Sequence, residues 1–216
     1  MITQNLAQLH QEIQIYQKAS SYTLVAVSKH QPIEKIQEAY QSGHRHFGEN
    51  YVQELVQKYH QLPKDICWHC IGALQTNKVK YIAPFIYLIH TLDRKSLCDE
   101  IQKQGKKHNR IIPCLIQVAI SPEETKMGGC AFEDFEALYQ YAKTQSHIKV
   151  MGLMGMASFT QNKEIIRKEF QSLVQLYQQY PEFSILSMGM SSDYEIALQE
   201  GANMLRIGTK IFGERL

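Results

Sequence analysis

The residue with the clearest chemical potential is Lys29, which ends the apolar run Thr23-Leu-Val-Ala-Val-Ser-Lys29 and precedes His30-Gln31-Pro32. Six uncharged residues rich in β-branched side chains suit a strand buried on both faces. Pro32 predicts the start of a helix, because its missing N–H costs nothing at the first helical position. A lysine at the C-terminal end of such a strand can be a solvated charge, or it can deliver one amine to a pocket on the face where (β/α)8 enzymes keep their chemistry. A second group lies far along the chain. Ser187-Met-Gly-Met-Ser-Ser-Asp193 precedes a helical pattern from Tyr194 to Glu200 stopped by Gly201, and Arg206-Ile-Gly-Thr-Lys-Ile-Phe-Gly213 closes the sequence's last apolar run. Ser192 and Glu195 have capping-box spacing, which leaves Ser191 as the freer hydroxyl for a ligand. Gly208 lets backbone approach an anion, and Thr209 adds a hydroxyl.

These groups need a scaffold that brings them together. Strand candidates fall near 23–28, 46–49, 66–71, 85–90, 112–119, 149–154, 184–188 and 203–207, after a leading helix over about 3–20. Between them lie helical patterns such as Ile33-x-x-Ile36-x-x-Ala39-Tyr40 closed by Gly43, and Phe132-x-x-Phe135-x-x-Leu138-x-x-Tyr141. Eight strands alternating with helices in one domain over 1–216 predict a (β/α)8 TIM barrel with lean loops. In such barrels a phosphate commonly sits between the loops after strands seven and eight. A lysine after strand one would share that cavity. The ligand suited to both is pyridoxal 5′-phosphate, whose aldehyde forms a Schiff base with lysine while its phosphate takes the loops.

Composition narrows the alternatives. With 44% hydrophobic and 20% charged residues the 216-residue chain is an ordinary globular protein, and a net charge of +2 gives no argument for nucleic acid. No run approaches the roughly 18 apolar residues of a membrane span, and residues 1–17 are too polar for a signal peptide, so a cytoplasmic protein is expected. Five cysteines without a signal peptide point to free thiols. Cys67-Trp-His-Cys70 sits within a strand pattern, where positions three apart face opposite ways, which disfavours a disulfide or shared metal. His44, His46 and Glu49 are read as turn and strand residues, and no metal is assigned.

The blocks Val25-Ala-Val-Ser-Lys29, His46-Phe-Gly-Glu-Asn-Tyr51, Trp68-His-x-Ile-Gly-x-Leu-Gln-x-Asn-Lys78, Gly152-Leu-Met154, Leu186-Ser-Met-Gly-Met-Ser-Ser-Asp193 and Arg206-Ile-Gly-Thr-x-Ile-Phe-Gly213 occur in this order. In them the chain resembles the pyridoxal phosphate homeostasis proteins, also called the YggS or PROSC family, from about Leu24 to Arg215. The resemblance implies a monomeric fold-type III barrel like the N-terminal domain of alanine racemase. It implies a protein that binds the cofactor, has no established turnover, and buffers or delivers it, with apo enzymes as conceivable acceptors. Residue by residue it makes Lys29 the Schiff-base lysine, places Ser191, Gly208 and Thr209 at the phosphate with Ser192 beside them, and sets Arg206 at the pyridine nitrogen. Asn50, His69 and Met188 fall at strand ends, either lining the pocket or packing behind it. His30, Cys70 and Met154-Gly-Met156 depart from the usual pattern, and none touches the lysine or the phosphate loops.

Lys78 reads as a second amine or as a helix-start charge, while Gln75 and Asn77 add polar groups beside it. The 126–128 turn, with Lys126, also resembles a family loop. The main rival function is a pyridoxal-phosphate-dependent amino-acid racemase or decarboxylase. Fold-type III racemases use a second, β-rich domain that supplies a tyrosine acid/base, and a chain ending soon after strand eight is not expected to carry one. An arginine at the pyridine nitrogen also weakens the cofactor as an electron sink. A cofactor-free sugar-phosphate isomerase would leave Lys29 unexplained.

Overall fold

In the computed structural model, residues 1–122 and 128–214 are described. Lys126 and Arg215 lie outside them. The strands are β1 (Thr23–Val27), β2 (His46–Glu49), β3 (Cys67–Cys70), β4 (Leu88–Leu92), β5 (Ile112–Gln117), β6 (Ile148–Met154), β7 (Ile185–Ser187) and β8 (Met204–Ile207). All neighbours pair in parallel, and the sheet closes in sequence order, with β1 against both β2 and β8. The TIM barrel anticipated from the alternation of elements is thus the observed fold.

Parallel neighbours need crossovers, and helices provide them. They are α1 (Ile2–Tyr16), α2 (Ile33–Gln41), α3 (Val52–Gln61), α4 (Val79–Ile82), α5 (Lys95–Lys107), α6 (Phe132–Lys143), α7 (Lys163–Gln178), α8 (Tyr194–Gln199) and α9 (Thr209–Phe212), with a 3₁₀ turn at Thr76–Lys78. Ile36 and Ala39, three apart on α2, are both fully buried against the barrel. Two apolar layers result. The larger lies between strands and helices and includes Phe47, Trp68, Phe135 and Phe170. The smaller, inside the barrel, joins Val25, Leu88, Leu115, Met154 and Met204.

Several boundaries differ from the sequence expectation. The leading helix stops at Tyr16, with Gln17 extended, rather than near 20. Pro32 stands one residue before α2, in extended conformation. The fourth strand is Leu88–Leu92 instead of 85–90, because Phe85 and Ile86 close the turn after α4 by donating to the Ile82 carbonyl. Phe85 then stacks on Tyr59 at 3.7 Å. A continuous apolar run carries no mark of where turn ends and strand begins. The fifth strand ends at Gln117, the sixth begins at Ile148, and the remaining strands keep within one residue of the expected limits.

Helix α1 straps the end of the chain to its beginning. Asn5 Nδ2 donates to the Ile211 carbonyl (2.9 Å), and Glu12 accepts from Tyr194 Oη (2.8 Å) and Lys210 Nζ (3.0 Å). The helices that follow β7 and β8 are therefore both tied to α1.

Candidate functional site

Strand register decides which residues meet at the rim. Ala26 pairs with Ile207 on one side and Phe47 on the other. Two residues past β1, Lys29 thus stands between the Gly208-Thr209 exit of β8 and the Asn50 exit of β2. The backbone N–H of Arg206 donates to the Gly189 carbonyl (3.0 Å), which ties the 188–193 loop to the same edge. Four adjacent strands, β7, β8, β1 and β2, therefore carry Ser191, Thr209, Lys29 and Asn50 on one arc of the C-terminal rim.

The turn bearing Lys29 is fastened from beneath. Ser28 Oγ donates to Glu49 Oε1 (2.6 Å), while Lys58 Nζ donates to that same oxygen (2.7 Å), to the Ser28 carbonyl (2.7 Å) and to Glu54 Oε1 (2.6 Å). His30, in left-handed conformation at φ 61°, donates its backbone N–H to Glu54 (2.6 Å). Lys58 and Glu49 are both buried, and burial outweighs the lysine's pull to raise the Glu49 carboxyl to about 7. Lys29 itself is half-buried.

On the facing side, Ser191 is half-buried, whereas Ser192 and Thr209 are exposed. The capping box expected of Ser192 and Glu195 does not form. Asp193 is the N-cap of α8, and its carboxylate takes the N–H of Met190 (2.6 Å), three residues earlier, rather than an N–H of the helix. Gly189 adopts φ 96°, and a Cβ there would come within 2.7 Å of Ala197, so the loop can hug α8 only without one. At Gly208 a Cβ would lie 3.1 Å from the Val27 carbonyl, so this glycine lets β8 leave past the end of β1. The backbone N–H groups of Ser191, Ser192 and Thr209 donate to no acceptor among the described residues.

Arg206 is buried inside the barrel, its Nη1 donating to Ser187 Oγ (2.6 Å) and its Nη2 to the Gly155 carbonyl (3.0 Å). Burial lowers its pKa to about 10, which still leaves the guanidinium charged at neutral pH. His69 is not at the rim. It lies within the barrel, fully buried, with Nε2 3.0 Å from His46 Nδ1 and Nδ1 2.8 Å from His90 Nε2. The chain goes on from His90 Nδ1 to Ser187 Oγ at 3.3 Å. Met188 is also fully buried, in the layer between strands and helices. Its side chain packs behind the rim.

Asn50 is half-buried and lines a cavity of about 510 Å³ with Gly72, Gln75 and Lys78. Lys78 ends the 3₁₀ turn and starts α4, the helix-start position. Cys67 is half-buried, Cys70 is buried, and all five cysteines are free. Lys58 and His90 were not singled out in the sequence, and Ser187 stood there only as the first residue of the 187–193 segment, without a role of its own. Lys58 did carry a signal, since it follows Val52 and Leu55 at three-residue spacing on the buried stripe of α3.

A family model described as the alanine racemase N-terminal domain matches residues 4–216. The pyridoxal phosphate homeostasis protein of Aquifex aeolicus is 46% identical over 198 residues, covering 89% of this chain and 86% of the relative. The chain belongs to the pyridoxal phosphate homeostasis protein family. The family's Pasteurella multocida member is 40% identical, with 99% of this chain and 97% of the relative covered. Among solved structures, PipY of Synechococcus elongatus superimposes with a TM-score of 0.89 without pyridoxal phosphate and 0.88 with it bound, at 33% identity over 99% of this chain and all of PipY. Alanine racemase of Bartonella henselae shares the fold at a TM-score of 0.75 and 18% identity, this chain spanning 58% of its length. No helix among the described residues is long and apolar enough to cross a membrane.

Proposed function

We propose that this chain binds pyridoxal 5′-phosphate on the rim formed by β7, β8, β1 and β2, and serves vitamin B6 homeostasis by holding and releasing the cofactor in the cytoplasm, as a monomer. The observation that carries the reading is the β1–β8 register, which sets Lys29 beside Gly208-Thr209 and across from the 188–193 loop. The donor set fits the group. Ser191 and Thr209 offer hydroxyls, and three nearby backbone N–H groups have no acceptor among the described residues, as a phosphate requires. The family's shared name and the cofactor bound in PipY support the same reading.

When bound, the cofactor supplies an aldehyde open to reversible attack by amines and an electron-withdrawing ring. Lys29 would provide the amine that holds the aldehyde. Ser191, Ser192, Gly208 and Thr209 would hold the phosphate, with Asn50 at the neighbouring edge of the pocket. Arg206 would face the pyridine nitrogen as a donor of hydrogen bonds that keeps its own proton. A ring nitrogen so faced is not protonated by its partner, which favours storage over carbanion chemistry.

The protein loaded with cofactor should be yellow, and borohydride reduction followed by peptide mapping should find the pyridoxyl group on Lys29. Lys29→Ala should fold normally and lose that attachment. Incubation with an apo-aminotransferase should restore the acceptor's activity, and common amino acids should not be racemised, decarboxylated or transaminated. Rapid turnover of one amino acid, lost in Lys29→Ala, would replace the carrier reading with that of an enzyme.

A further inference from the structure

Four buried or half-buried side chains inside the barrel, His46, His69, His90 and Ser187, lie behind Arg206 and are given no contact with the cofactor by the proposed function. They form one hydrogen-bonded series that starts on β2, passes through β3 and β4, crosses the barrel to β7 and ends on Arg206 of β8. At its far end His46 lines a cavity of about 720 Å³ beneath the barrel, with His10, Tyr22 and His44.

The direction of the series follows from the hydrogens available. Burial holds His69 and His90 well below the usual histidine range, so each is neutral and has one ring N–H to give. Arg206 only donates, so Ser187 Oγ accepts from Nη1 at 2.6 Å. The hydroxyl proton of fully buried Ser187 has one acceptor among the described residues, His90 Nδ1 at 3.3 Å. Left unpaired it would carry a desolvation penalty, so Ser187 donates to His90. His90 must then hold its proton on Nε2 and pass it toward His69 Nδ1, and His69 likewise toward His46 Nδ1. His46 accepts on Nδ1 and keeps its own proton on Nε2. The opposite orientation would strand the Ser187 proton.

We propose that Ser187, His90, His69 and His46 form a single oriented chain, all three imidazoles in the Nε2–H form, that positions the Arg206 guanidinium for the cofactor ring. These are positioning residues acting through Arg206. The part concerning the ring rests on the proposed function, whereas the orientation of the chain does not.

Long-range ¹H–¹⁵N correlation spectra of the cofactor-free protein, labelled at histidine nitrogen, read the tautomers directly. Single His→Gln variants assign the signals. Nε2–H forms of His46, His69 and His90 are expected at neutral pH, and an Nδ1–H form of His69 or His90 overturns the proposal. Ser187→Ala should free His90 into a mixture of tautomers, shift the visible band of bound pyridoxal phosphate and weaken its binding about tenfold, as loss of a bond to a charged group does. Ser187→Thr, which keeps the hydroxyl, should restore all three. If Ser187→Ala and His90→Gln fold but leave band and affinity unchanged, the positioning role is wrong even with the tautomers as stated. If they do not fold, the wild-type tautomers still decide the chain's orientation, and Ser187→Thr, by keeping or losing the wild-type band, decides the positioning role. If the wild type takes up no cofactor, the proposed function and the role of Arg206 fall together, while the tautomers stand on their own.

Discussion

The two walls of the rim are fastened by opposite means. Under β1 and β2, the turn with Lys29 rests on Lys58, Glu49 and Glu54, with the first two side chains 6% and 0% exposed. Behind β7 and β8, the loops with Ser191 and Thr209 are tied to α1 through Glu12, Tyr194 and Lys210, at ion-pair side chains 39% and 28% exposed. Separating buried charges costs far more than parting exposed ones. The lysine wall therefore has one tenable arrangement, and the phosphate wall has room to loosen. That difference suits the proposed role, in which an amine is kept in place and an anion is let go.

The comparison breaks most easily at Lys58. Lys58→Met should lower stability by about 3–5 kcal/mol, the usual effect of leaving one partner of a buried pair behind. A loss under about 1 kcal/mol in urea unfolding would make the two walls equivalent. The effect should also depend on pH. With Glu49 raised to about 7 from an ordinary 4.5, the folded chain keeps a proton that the unfolded chain has released. The stability this contributes is complete below pH 4.5 and is lost as pH rises through 7. In Lys58→Met the decline should continue to higher pH, because without the lysine's pull burial raises the Glu49 carboxyl further.

Ser191→Ala and Thr209→Ala sharpen the other side. Each should weaken pyridoxal phosphate binding by about 1–3 kcal/mol in a fluorescence titration, with stability nearly unchanged. Unchanged affinity in both would move the phosphate elsewhere.

The smallest effect is expected at Glu12, whose carboxyl is drawn down to about 2 by hydrogen bonds from Tyr194 and Lys210. Glu12→Gln should cost less than about 1 kcal/mol. The difference from wild type is present above pH 4.5 and disappears as pH falls toward 2. Thermal unfolding across that range checks it. A loss as large as that of Lys58→Met would erase the contrast between the walls.

What could be read from the chain beforehand follows the same division. Lys29, Ser191, Gly208 and Thr209 lie in short segments after apolar runs, where strand period and turn chemistry are local signals. The barrel was legible for the same reason, since eight apolar runs alternate with helical stripes. The 85–90 run slipped because Phe85 to Leu92 holds turn and strand residues of similar hydropathy. Ser192 has the right spacing for a cap, yet Asp193, one residue on, occupies that position, a choice made by loop geometry. Glu49, His69 and His90 were illegible as a group because they are polar residues inside apolar strands, and their partners arrive from other strands. Pairings such as His90 with Ser187, 97 residues apart, are made by barrel closure alone.

The strap formed by α1 also bears on the order in which the molecule can assemble. Its bonds to Ile211, Tyr194 and Lys210 span 206, 182 and 198 residues. During synthesis α1 therefore emerges long before α8 and α9, with only nearer partners such as Glu38, which accepts from the Ile2 N–H at 2.8 Å, following it closely, and an amphipathic helix of 15 residues has little stability by itself. Contacts of such long range close late, because loop entropy must be overcome before they form. The rim after β7 and β8 is then among the last parts of the barrel to become native, and an anion bound there, as proposed, would act on folding as a late clasp.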